Sequence, residues 1–286
     1  MKLTTCLLIL VLLFVPFQAV SAGQGTERSV VTITAKQVDS ADDIEAAIKQ
    51  ATAEGTRPGT VILDGKEGPF VLTGDDRSLN IFVSNLILRG VNQPVIKGCD
   101  DGLFFDDLHF PLKHILIEGI AFLCSGDGME ASRTFQDVTL RNNLFQGGNN
   151  GIGAGGHSSG WLISGNVIQG GMDAINIRGA ERVVISNNHL SGNIGVALLE
   201  CSTFQVRRNA IQARYQGVLL GQEAWANLVQ GNTIMGVSAA GIALEPGVTH
   251  NRVLANSVLC APGNSCLTVD ATAAVMKANT IAGNRP

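Results

Sequence analysis

Four polar residues recur at one position of a repeating pattern. Asp101, Asp127, Asn150 and Asp173 each stand two residues before an apolar residue that is itself preceded by Gly or Ala. The apolar residues are Leu103, Met129, Ile152 and Ile175. The same column continues through Val196, Val218, Ile242 and Leu267, where the matching positions are Ile194, Gln216, Ala240 and Ser265. Carboxylates repeated in this way become neighbours if successive repeats stack. One strand spacing puts them roughly 5 Å apart and two spacings roughly 10 Å, which brackets the separations at which paired carboxylates hydrolyse glycosidic bonds. At the shorter distance one of the pair holds its proton to higher pH and becomes a proton donor. Asp101, Asp127 and Asp173 are therefore the candidate catalytic residues. The competing reading is turn chemistry, because Asp-Gly and Asn-Gly favour the bend that leads into a strand.

Other polar residues share that register. Glu130 and Asn176 follow the column residue by one position, and Asp106 and Arg178 follow it by three. With Asn150 they are the candidate substrate-binding residues of one patch, with Arg133, His109 and His157 in adjoining loops. Carboxylates at Asp101, Asp127 and Glu130 could hold Ca²⁺ bridging to a uronate carboxylate, while a base removes the proton alpha to it. A solvated charged face is the plain alternative.

What positions these side chains is a second repeat. Asn143, Asn166, Asn188, Asn209, Asn232, Asn256 and Asn279 recur at intervals of 21 to 24 residues. Three positions before each is an apolar residue (Leu140 in the first repeat, Met276 in the last), and two after each is another (Phe145 in the first, Ile281 in the last). Alternation at i and i+2 is strand chemistry. Leucine-rich repeats have similar periods, but their strand is followed by a convex segment, whereas here both halves of the unit carry strand signals. Several short strands per repeat with Gly and Asn turns predict an all-β chain, a single-stranded parallel β-helix. The asparagines then form an internal ladder, each at the same corner of successive coils.

The ends differ from this repeat. Residues 1–22 have Lys2, an apolar centre from Cys6 to Val15 and a small-residue exit at Ala19 to Ala22, the plan of a signal peptide. The expectation is a secreted or periplasmic chain with no membrane insertion after cleavage, and one domain over 23–286. Within it, 30–60 reads as a strand and a capping helix, with Asp42 and Asp43 at the helix's positive end and Ile44, Ala47, Ile48 and Ala51 on one face. Residues 61–286 read as stacked coils. In an oxidising compartment Cys260 and Cys266 would close a small loop, Cys99 with Cys124 could link neighbouring layers, and Cys201 is left over. A formal charge of −4 argues against nucleic acid or an anionic membrane as the main partner.

With these coils and the capping helix, the chain resembles the right-handed parallel β-helix superfamily of pectate lyases and polygalacturonases over most of Val30 to Asn279. Asp101 and Asp127 stand where the first two polygalacturonase elements, Asn-Thr-Asp and Asp-Asp, would fall, although Gly128 replaces the second acid. Asn150 occupies the position of the family's histidine, and Asn176-Ile177-Arg178 is similar to the last element, Arg-Ile-Lys. The resemblance implies a right-handed coil and an acidic polysaccharide as partner, bound or cleaved by a lyase or glycosidase. Aromatics make up 5% of the chain, too few for a row of sugar-stacking platforms, which also favours an anionic polymer. The alternative of a different class is a non-catalytic scaffold, adhesin or surface-recognition rod.

Overall fold

The computed structural model describes residues 28–73, 77–105, 111–132, 134–264 and 266–286. The expected leader, residues 1–22, lies outside them, as do Asp106, His109, Arg133 and Ser265. The chain winds as a parallel β-helix with three walls. The first wall is an eleven-stranded sheet running from Ser29–Thr34 to Thr280–Ala282. The second and third are two arms of a sixteen-stranded sheet. One arm runs from Phe70–Val71 to Ser257–Cys260 and the other from Leu79–Ile81 to Leu267–Asp270. His189–Leu199 and Ala210–Gly221 are long enough to turn the corner and serve both arms.

Pairing registers place like residues on like rungs. Leu140, Ile163, Ile185, Val206, Val229 and Val253 pair in succession along the first wall. All six are buried, each burial contributing about 1.5–3 kcal/mol. Phe145, Ile168, Leu190, Ile211, Ile234 and Val258 do the same along the second. The glycines before the third-wall column are explained at the corner between these arms. A Cβ on Gly195, Gly217 or Gly241 would lie 2.2–2.3 Å from the side chain of Ile211, Ile234 or Val258, respectively. Only a residue without a side chain lets the walls close so tightly.

The asparagine ladder runs through Asn143, Asn166, Asn188, Asn209, Asn232 and Asn256. Each main-chain N–H donates to the Oδ1 of the asparagine one coil later, at 2.8–3.0 Å. Each Nδ2 donates to a carbonyl of the preceding coil, at 2.9–3.0 Å. Asn279 does not continue this row. Asn256 donates instead to Asn284, 28 residues on, because a short helix, α2 (Ala273–Ala278), lengthens the last coil. Asn279 closes a second ladder with Asn227 and Asn251 at another corner. Ile281, not Met276, accordingly pairs with Val253. The third-wall column shifts at the same end. Val269 rather than Leu267 pairs with Ile242, and Leu267 pairs with Ala240, so Ser265 is not the matching position. This coil contains the loop closed by the disulfide Cys260–Cys266.

At the other end, α1 (Ala41–Thr52) covers the coil, packing against Ser29–Thr34, Gly59–Asp64 and Leu79–Ile81. Asp43 closes a capping box with Ser40 and accepts from the N–H groups of Asp39 and Ser40 at 2.8 and 3.1 Å. These bonds hold its carboxyl below the usual range. Ile44, Ile48 and Ala51 are fully buried against the end of the coil. Glu45 accepts from the N–H and Nδ2 of Asn80 at 2.9 and 2.8 Å, so a helix side chain satisfies the edge strand. Cys99 and Cys124 are disulfide-bonded, and Cys201 is free and buried, its thiol pushed up to about 11 by burial. No helix among the described residues is long and apolar enough to cross a membrane.

Candidate functional site

The third wall builds a groove from three consecutive strands, Met129–Ala131, Ile152–Ala154 and Asp173–Arg178. Strand alternation turns Met129, Ile152 and Ile175 inward and the next residue of each strand outward. Glu130 pairs with Phe104 on one side and Gly153 on the other, and Gly153 pairs with Asn176. The middle rung has no side chain, so a hollow of about 320 Å³ opens between Glu130 and Asn176, lined also by Asp127, Asn150 and Ser132. Gly153, Ala154 and Gly155 are its floor.

The column carboxylates are tied into the wall. Asp101 Oδ1 accepts the N–H of Asp127 at 2.7 Å, and Asp127 Oδ1 accepts the N–H of Asn150 at 2.9 Å. Asn150 Nδ2 returns a bond to Asp127 Oδ2 at 3.1 Å. Asp173 takes bonds from the Ile194 N–H and from Asn176 Nδ2, the latter at 2.9 Å. Each acid therefore satisfies a main-chain donor of the following coil, which is more than turn chemistry and less than a free carboxylate pair. A Cβ on Gly153 would come within 2.3 Å of Asp127 Oδ2, so that glycine also makes room for the carboxylate.

Among the described residues Glu130 is the exception, with no hydrogen bond holding it to the wall in the way its neighbours are held. Burial, then the negative charges of Asp101 and Asp127, raise its pKa. Asp173 is raised as well, by burial, although its hydrogen bonds pull the other way. The carboxyl of the groove with the fewest ties to the wall and a raised pKa is thus the residue one position beyond the column.

The rest of the expected patch does not converge. Arg178 leaves the end of its strand and pairs with Glu200 at 3.6 Å and with Gln222, on the following coils. His157 lines a separate cleft of about 390 Å³ with Glu181, Arg182 and Glu200. Asp106 lies outside the described residues. Among the described residues no group of three or more His, Cys, Asp or Glu comes together as a metal site. Ca²⁺ at Asp101, Asp127 and Glu130 is therefore not supported, because Asp101 and Asp127 each turn an oxygen onto a main-chain N–H. Trp161 is buried, stacked 4.0 Å from Phe135, so it offers no platform to a sugar. Gly153 was the feature missed in the sequence. Its signal was the outward row itself, in which a glycine separates an acid from an amide.

Comparison with known proteins agrees with this geometry at the level of fold. The family model described as "Right handed beta helix region" matches residues 117–258. No curated protein sequence matches the chain. A DFA-IIIase mutant from Arthrobacter chlorophenolicus superposes with a TM-score of 0.57 at 11% identity, covering 89% of this chain and 83% of that one. A double mutant of the periplasmic alginate epimerase AlgG gives 0.52 at 15% identity, covering 81% and 73%. The Dettilon tailspike protein gives 0.55 at 14%, covering 90% of this chain and 66% of its own. Identities this low carry the architecture and leave the chemistry to the residues of each groove.

Proposed function

We propose, from the premise that this chain is a right-handed parallel β-helix, that it binds and modifies a polysaccharide in the groove of the third wall. The observation that carries this reading is Glu130, placed over a glycine floor between Asp127 and Asn176 with its carboxyl raised by burial and by neighbouring charge. A carboxyl so placed can deliver a proton to an oxygen of a bound sugar, while the amides of Asn150 and Asn176 donate to and accept from hydroxyls. A fold neighbour that is an alginate epimerase supports a carbohydrate partner.

The charge of the groove bears on the polymer. An acidic polysaccharide brings carboxylates towards Glu130 and Asp127, so polygalacturonate or alginate binds more tightly as pH falls through the raised pKa of Glu130. Export is part of the same proposal, supported by the leader pattern of residues 1–22 and by the disulfides Cys99–Cys124 and Cys260–Cys266. The test is a panel of acidic and neutral polymers assayed for retention and for new chain ends or unsaturated product. Turnover on one of them should drop about 100-fold or more in Glu130→Gln with binding largely kept. Neither retention nor turnover on any polymer would remove the reading. A second reading, a non-catalytic recognition rod, is favoured by the hydrogen bonds that occupy Asp101, Asp127 and Asp173. It predicts retention without products.

A further inference from the structure

The second wall has an outward face of a different character. Strand pairing sets Gln146, Gln169, Ser191 and Gln212 in one row, with Met235 and Leu259 continuing it. The adjacent row includes Val167, His189 and Ala210. Neither row contains an Asp, Glu, Lys or Arg between Ala121 and Leu259, in a chain that is 15% charged. Seven successive coils thus present carboxamides, hydroxyls, one imidazole and aliphatic carbon, with no Asp, Glu, Lys or Arg. Where the small Ser191 stands between the longer Gln169 and Gln212, with Ala210 in the adjacent row, the face dips into a hollow of about 170 Å³.

That chemistry selects a ligand. Nucleic acid and anionic membranes require cations, which the rows lack. A uronate polymer would find no counter-charge. A neutral sugar ring offers C–H faces to Val167, Ala210 and Met235, and hydroxyls that both donate and accept, as a carboxamide does. The polar residues of the row follow one another on four successive coils, at about 4.8 Å, a spacing suited to a polymer of saccharide units laid along the axis. We propose that the second wall is a separate binding surface for a neutral, hydroxyl-rich polysaccharide, with one ring seated in the hollow between Gln169 and Gln212. This surface is independent of the Glu130 groove.

Affinity electrophoresis of the full chain in gels containing soluble β-glucan, galactomannan, starch or polygalacturonate tests it. At least one neutral polymer should retard the protein. The double variant Gln169→Ala/Gln212→Ala, whose thermal unfolding should match the parent because both side chains are exposed, should weaken that binding roughly tenfold for the lost hydrogen bonds. Ser191→Trp, which fills the hollow, should weaken it too. The proposal is overturned if no neutral polymer retards the chain, if polygalacturonate alone does, or if retardation is the same in the parent and in Gln169→Ala/Gln212→Ala.

Discussion

Glu130 sits beside two carboxylates whose oxygens already accept main-chain hydrogens, and this arrangement fixes its pH behaviour. Its folded pKa is raised above the ordinary carboxylate value, so the folded chain holds this proton after the unfolded chain has lost it. Stability from this group is therefore full below the unfolded value of 4.5 and declines as pH rises through the folded one. Urea midpoints measured across that window should decline in the parent and less so in Glu130→Gln. Activity that uses the donor should fall over the same window. Glu118 is the opposite case. Burial pushes its pKa up, but the hydrogen bonds from Arg141 and Arg89 outweigh that and hold it below the usual range. Asp127, Glu130, Asn150 and Asn176 were legible as one site because the repeat brings their positions into vertical register. Arg178 was misplaced because register fixes where a side chain starts and not where a long one ends; its guanidinium finds Glu200 and Gln222 first.

Among the elements, the asparagine rows carry most of the specification. Asn209→Ala strips the acceptor from the N–H and Nδ2 of Asn188 and the donor from the Ile185 carbonyl, all buried. Orphaned buried groups cost about 1–3 kcal/mol each, so the expected result is a marked drop in the urea midpoint with the fold retained. Asn279→Ala should cost less, since that side chain is half-exposed at the last coil. Equal losses in both variants would contradict the distinction between interior and terminal rungs. The first row could be read because its period is nearly constant. The second was present at a fixed offset: Asn227, Asn251 and Asn279 each precede a member of the first row, or Asn284, by five residues. Six residues of α2 hid that offset, for a helix so short has too little apolar periodicity to be recognised.

For the molecule as a whole, the open edge at the N-terminal side is closed by α1, whose buried Ile44 and Ile48 meet the first coil. Ile48→Asp should loosen that cover and expose strand edges, giving concentration-dependent association by light scattering. A variant that stayed monomeric with unchanged unfolding would show that the helix is dispensable. The cap was legible because its apolar residues fall at helical spacing behind a polar start. The contrast between a carboxylate-bearing third wall and an uncharged second one was not, since it emerges only when rungs separated by more than twenty residues are superimposed.

Along the asparagine row the main-chain hydrogen always goes forward, while the side-chain amide reaches back to a carbonyl of the preceding coil. The stack is therefore directional. A coil emerging from the ribosome can donate its asparagine Nδ2 to a carbonyl already wound, yet must wait for its successor before its own main-chain N–H is answered. Severing the chain behind any interior rung would leave the same kind of dangling donor. Nothing in the row itself prefers one number of windings over another, so duplication or loss of a winding can change the span of the second and third walls while leaving the internal grammar of the stack intact.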